Sequence, residues 1–147
     1  MAANPTAYRD AELIGDSDRN AQIFKDINLN FSKHPITGDI GKLTNVEAVK
    51  RSVRNLVNTN FYERPFHPEI GSDVRAILFE PISPLVADVL KRYVEDVINN
   101  FEPRAELISV KTNAQIDRNA YEVQIEFYLV NSPSGLQTVE LFLEGLR

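Results

Sequence analysis

Three carboxylates, Glu63, Glu69 and Glu102, stand beside prolines or aromatic residues that could desolvate them. Glycoside hydrolysis needs little more than two carboxyls about 5 to 9.5 Å apart, one of them with a raised pKa. The neighbouring charges argue the other way. Glu63 is followed by Arg64, and Glu102 lies two residues before Arg104. A cation at that distance holds a carboxylate ionised, whereas a general acid must keep its proton. Carboxylates tied into structural ion pairs are the plainer reading. His34 and His67 are the only two imidazoles, each beside a proline and far apart in sequence, with no second histidine at helical spacing. They read as loop histidines whose rings pack or hydrogen-bond rather than as a metal pair. Gly38 and Gly41 lack the lysine and hydroxyl that complete a phosphate-binding loop. Lys50, Arg51 and Arg54 make a small basic patch, either a solvated helix face or a match for a partner's acidic surface.

Composition narrows the remaining chemistry. The 147 residues carry 16 basic and 21 acidic side chains, a formal charge of -5, no cysteine and no tryptophan. Thiolate catalysis, zinc-cysteine sites and iron-sulfur clusters are excluded, and no residue set calls for a cofactor. A chain of this length buries enough surface to fold without disulfides or a structural metal. The acidic balance, with a pI near 5.1, argues against binding to a nucleic-acid backbone. No apolar run approaches the roughly 18 residues of a membrane span. The first twenty residues carry Asp10, Glu12, Asp16 and Asp18 where a secretion leader needs an apolar stretch. A soluble protein without such a leader, binding neither nucleic acid nor membrane, is expected.

The elements that would position any site follow from periodicity. Residues 1 to 22 show neither helical nor strand period and read as an extension that is loose unless a partner holds it, leaving 23 to 147 as a single domain. Ile27, Leu29 and Phe31 alternate with polar residues, the pattern of a half-buried strand. Thr44-Asn45-Val46-Glu47 fits a capping box. Val46, Val49, Val53, Leu56 and Val57 then form the apolar stripe of a helix closed by Asn58-Thr59-Asn60. Ser72-Asp73 caps a short helical piece that Pro81 stops. Ser83-Pro84 starts a long helix whose stripe runs through Val86, Val89, Leu90, Tyr93, Val94, Val97, Ile98 and Phe101. Glu102-Pro103-Arg104 ends it, and the period switches from 3.6 to 2. Leu107 to Thr112, then Tyr121 to Leu129, then a segment with Val139, Leu141 and Leu143 on one face read as three strands joined by short polar loops. The fold class is therefore α+β: two main helices packed on an antiparallel sheet with a C-terminal three-stranded meander.

Two segments invite a partner. Between the helices, Phe61 to Gly71 holds two prolines and the apolar residues Phe61, Tyr62, Phe66 and Ile70. Such a stiffened loop either covers core or offers a rigid docking surface at small entropic cost. The last strand, if it lies at a sheet edge, could accept a strand of another chain by main-chain hydrogen bonding.

Three runs of residues together resemble a known family. They are Glu63-Arg64-Pro65-Phe66-His67-Pro68-Glu69-Ile70-Gly71-Ser72, the following Leu78-Phe79-Glu80-Pro81, and Glu102-Pro103-Arg104. They resemble the lysozyme-like baseplate wedge family, the sheath initiator of contractile phage tails, with relatives in contractile bacteriocins and type VI secretion baseplates. The resemblance covers about residues 24 to 145 in order and spacing; Phe61-Tyr62 precedes Glu63 where that family often has a glycine. It implies a structural protein of the virion tail baseplate, made in the host cytoplasm. Other baseplate wedge proteins, the tail sheath protein and the tail tube are the implied partners. Glu102, Pro103 and Arg104 would contact the wedge core, and Glu63, Arg64, Pro65 and Phe66 would form a docking loop. Residues 121 to 144 would join the sheath's strands, with Val139, Leu141 and Leu143 at the sheath-facing edge. The family's older label also implies a lysozyme-like hydrolase acting on peptidoglycan, the alternative from a different class.

Overall fold

A computed structural model describes residues 24–132 and 134–146; the expected extension over residues 1 to 22 lies outside the described residues. The chain divides into two compact units between Asn45 and Val46. In the first unit, strands β1 (Lys25–Ile27) and β2 (Lys42–Thr44) pair antiparallel, with Lys25 opposite Thr44. The strand expected through Phe31 stops at Ile27. Asn28 is the cause: its side chain accepts from the Asn30 amide and its carbonyl from the Phe31 amide, a local turn that competes with extension. Ile27, Leu29 and Phe31 are all more than half exposed as a result.

The second unit holds the core. Helix α1 (Asn45–Asn58) buries Ala48, Val49, Val53, Leu56 and Val57, close to the expected stripe, while Val46 is only half-buried. The Asn58 side chain donates to the Arg54 carbonyl and the Thr59 hydroxyl to the Asn55 carbonyl, the latter an orphan acceptor of the last turn. Helix α2 (Val74–Ile77) is one turn long. Asp73 stands at its N-cap without a side-chain cap bond, and the Ser72 hydroxyl donates instead to the Val57 carbonyl at the end of α1. Helix α3 (Pro84–Phe101) starts as its sequence requires, with the Ser83 hydroxyl accepting from the Val86 amide at 3.3 Å and proline in the first turn. Its buried face is Ala87, Leu90, Val94, Val97 and Ile98; Val86, Val89, Tyr93 and Phe101 lie at the rim.

Strands β3 (Ala105–Gln115), β4 (Ala120–Leu129) and β5 (Gln137–Glu144) form an antiparallel sheet in the order β3-β4-β5. Tyr121, Val123, Ile125, Phe127 and Leu129 of the central strand are all buried, as their alternation predicts. Val110, Ile125 and Val139 line up across the three strands. Two polar bonds fix α3 to this sheet. The Tyr121 hydroxyl accepts from the Ser83 amide at 3.2 Å, and the Thr112 hydroxyl donates to the Ala87 carbonyl at 3.0 Å. The expected architecture of helices on an antiparallel sheet ending in a three-stranded meander is therefore the observed one. Strand β3 is longer than expected and carries a bulge at Ile108, between the pairs formed by Leu107 and Ser109.

Gly71 closes the loop between α1 and α2. A parallel bridge joins Asn60 to Ser72, and the Ser72 amide donates to the Thr59 carbonyl at 2.8 Å. A Cβ on Gly71 would lie 2.5 Å from the Asn60 carbonyl carbon and 2.6 Å from its oxygen, a backbone that cannot swing aside. Gly71→Ala should therefore lower the denaturation midpoint by the equivalent of about 1–3 kcal/mol. Gly135→Ala, with nothing within 4 Å of its Cβ, should change it little. Chemical denaturation of both variants checks the contrast.

Candidate functional site

The end of α3 is built around one buried carboxylate. The Glu102 amide donates to the Ile98 carbonyl as the helix closes, Pro103 prevents continuation, and the Ala105 amide returns to the Glu102 carbonyl. This tight turn brings the Arg104 side chain back over Glu102. Its Nε donates to Oε1 at 2.6 Å and its Nη2 to Oε2 at 2.9 Å, the planar two-point pairing that guanidinium geometry permits. The Ser52 hydroxyl, from α1, donates to the same carboxylate. Burial, the largest single effect, pushes the Glu102 carboxyl up. The Arg104 and Ser52 hydrogen bonds and the Arg104 charge together outweigh it and hold the pKa below the ordinary 4.5. A carboxyl held ionised in this way is unsuited to act as a general acid.

This corrects the part assigned to Glu102. Its side chain is 2% exposed and committed inside the molecule, so it presents no surface to a partner. The exposed members of the triplet are Pro103 and, with a quarter of its side chain accessible, Arg104. Within the chain, Glu102 positions Arg104. Ser52 had no sequence signal, since nothing in a helical serine fifty residues upstream marks it as a carboxylate donor.

The loop from Asn60 to Ser72 is closed on itself. The Tyr62 amide donates to the Pro68 carbonyl at 2.9 Å, and the Glu63 carboxylate accepts from the Asn60 amide at 2.8 Å and from its side chain at 3.2 Å. His67 Nδ1 lies 3.1 Å from Glu69 Oε1. The Glu69 carboxyl is held below its ordinary value, first by its own backbone amide and then by His67. His34 is likewise local, its Nδ1 accepting from the Ile36 and Thr37 amides. All three acids considered for hydrolysis thus have structural partners.

Core cover accounts for only part of this loop. Ile70 is half-buried and Phe61 37% exposed, but Tyr62 is 85% and Phe66 98% exposed. Both have positive φ, 65° and 68°, a region that side chains other than glycine's enter at a cost of about 1–2 kcal/mol. Tyr62 thus adopts a glycine-like backbone. An open cavity of about 790 Å³ lies at the base of the loop, lined by Phe61, Tyr62, Pro68, Glu69, Asp73 and Arg75. Arg64 and Pro65 are exposed at its tip.

The third set is also redistributed. Val139 and Leu143 point into the core and Leu141 is half-buried, so they form the inner face of β5, not its edge. The edge itself is main chain: β5 pairs with β4 on one side and with no strand of the described residues on the other. The physical reason is that side chains stand perpendicular to the plane in which strands pair. Among the described residues no helix is long and apolar enough to cross a membrane.

The buried pair yields a pH dependence of defined sign. Because the folded pKa of Glu102 is depressed, its contribution is fully present above the ordinary value of 4.5 and is lost as pH falls through the lower folded value. Glu102→Gln should destabilise the domain by about 1–3 kcal/mol at neutral pH. It should also flatten the fall in stability below pH 4.5, which urea denaturation at a series of pH values would reveal.

Comparison with known proteins agrees with this geometry. The defining pattern of the family described as Baseplate wedge protein gp25 matches residues 44–134, from the start of α1 to beyond β4. Baseplate wedge protein gp25 of Enterobacteria phage T4 is 30% identical over 105 residues, 71% of this chain and 80% of the phage protein. A chain in the cryo-EM structure of the anti-feeding prophage baseplate superposes with a TM-score of 0.64 at 27% identity, over 76% of this chain and 90% of that one. A chain of the type VI secretion system baseplate complex shares the fold, with a TM-score of 0.54 at 18% identity over 64% of this chain and 88% of that one. With its helix-end ion pair and closed loop inside the matched residues, the chain belongs to the baseplate wedge protein gp25 family.

Proposed function

We propose that this protein is a structural component of a contractile-tail baseplate wedge, located in the virion tail baseplate, that joins the inner baseplate to the tail sheath. The observation that carries this reading is the arginine at the end of α3. Arg104 is locked in a two-point pairing with a buried carboxylate. A guanidinium fixed in this way loses little freedom when a wedge partner docks against Arg104 and the exposed Pro103.

Two further features support the same role. Tyr62 and Phe66 are held in strained backbone conformations with their rings in solvent, and such strain at an exposed aromatic is characteristic of a binding surface. Glu63, Arg64, Pro65 and Phe66 are then the docking loop against a neighbouring wedge subunit. The outer edge of β5, eight residues long and paired with no strand of the described residues, offers main-chain donors and acceptors on which a strand of the first sheath ring can be added. Each bond adds about 0.5–1.5 kcal/mol, and a ring of copies makes many such contacts cooperative. Contact with the tail tube would follow from a place in the inner baseplate. A hydrolase reading finds less support, because Glu102 is held ionised and Glu63 is spent on the Asn60 turn.

Arg104→Lys, which keeps a cation beside Glu102 but not the planar fork, should retain native circular dichroism yet co-assemble poorly with wedge proteins in reconstitution; normal assembly by the folded variant would sink the proposal. Tyr62→Gly should separate strain from function. Relief of the positive φ should stabilise the domain by up to about 1 kcal/mol, while loss of the exposed ring weakens wedge association, read by thermal melts and pull-down of the same sample.

A further inference from the structure

We infer that the outer edge of β5, which no strand of the described residues pairs, selects the strand it accepts by charge, taking an extended segment whose outward row is basic and whose inward row is apolar. This rests on the reading of β5 as a strand acceptor and adds which strands it admits.

The sheet has two edges, and they are not equivalent. Strand β3 is broken by the bulge at Ile108, which bends that edge and interrupts its ladder. Strand β5 holds unbroken register with β4 from Gln137 opposite Phe127 to Glu144 opposite Ala120. A regular edge templates a strand; a bulged one resists it.

The side chains of β5 then set the code. Inward, Val139, Leu141 and Leu143 continue the core, and a cavity of about 360 Å³ opens beside Leu143 between Val57, Val74 and Leu78. An added strand would place an apolar side chain over it. Outward stand Thr138, Glu140, Phe142 and Glu144. The acids of the central strand are already matched: Glu126 accepts from Ser109 at 2.7 Å and Lys111 at 2.8 Å, and Glu122 accepts from Gln115 at 3.0 Å. Lys111 is the one basic residue in the three strands, so its charge is committed to the β3 side. On β5, Glu140 faces Gln124 and Glu144 faces Ala120, neither of them a cation. Opposite charges directly across a strand pair stabilise it and like charges oppose it, so Lys or Arg in the added strand next to Glu140 and Glu144 is favoured and Asp or Glu is rejected. Phe142, half exposed between them, favours an apolar or aromatic neighbour.

The test uses the full chain and two fluorescein-labelled, end-blocked eight-residue peptides, one alternating Val with Lys and one alternating Val with Glu. The Lys peptide should bind at least about tenfold more tightly in fluorescence anisotropy. It should slow amide hydrogen exchange in residues 137–144 and not in 105–115. Glu140→Lys with Glu144→Lys should reverse the preference. Asp88→Lys with Asp96→Lys, the same charge change on the exposed face of α3, should leave it intact. If both pairs of substitutions weaken the preference equally, binding follows net charge and the selection rule is overturned. If both peptides protect 137–144 equally well, the edge accepts strands without charge selection, and only the rule fails. Protection confined to 105–115, or none at all, overturns the strand-acceptor reading itself.

Discussion

A carboxylate removed almost entirely from water must be matched in full, and the architecture around Glu102 is the consequence. Its desolvation alone would cost several kcal/mol, and one partner would leave acceptor capacity unused. Arg104 supplies two donors in the geometry of the carboxylate, and Ser52 a third from α1. Three elements thus converge on one ion: the end of α3, the entrance to β3 and the middle of α1. Pro103 makes the convergence possible by stopping the helix between the two charges. A lysine at 104 would offer a point charge in place of a fork, and the pairing would lose its planarity.

Around this anchor the molecule divides into a finished interior and an unfinished surface. The interior is saturated: no buried side-chain nitrogen or oxygen among the described residues lacks a hydrogen-bond partner, and Tyr121, although fully buried, has its hydroxyl bonded to the start of α3. The surface spends stability instead. Tyr62 and Phe66 occupy backbone regions made for glycine and keep their rings in water, and no strand of the described residues pairs with the outer edge of β5. A self-sufficient monomer would cover such features. In the proposed role neighbouring subunits cover them, which would reconcile a well-packed core with an open exterior.

The sheet shows how side-chain alternation separates these roles. On one face, Val123, Ile125, Phe127 and Val139 bury themselves against the helices. On the other, Glu126 gathers Ser109 and Lys111 into a cross-strand cluster that fixes the register between β3 and β4. The bulge at Ile108 then makes the β3 edge irregular while β5 stays regular. Packing, register and edge character therefore come from different features of the same three strands.

Much of this was legible in the sequence, because local chemistry dictated it. The serine cap and proline of α3, the stripe Val49, Val53, Leu56 and Val57, and the alternation from Tyr121 to Leu129 each fix an element by the period of its own residues. Asn28 misled that reading: the alternation of Ile27, Leu29 and Phe31 was real, but one asparagine's hydrogen bonds turned the chain within it. The sequence also marked Glu102, Pro103 and Arg104 as a unit, since their adjacency and the helix-ending proline are local. It could not assign their roles. That Glu102 is buried, that Ser52 completes its shell, that Val139 and Leu143 face inward while the β5 backbone lies open, and that Phe66 stands in solvent all depend on which distant segments pack together. Periodicity reports a residue's neighbours along one element; only the tertiary arrangement decides what lies across from it.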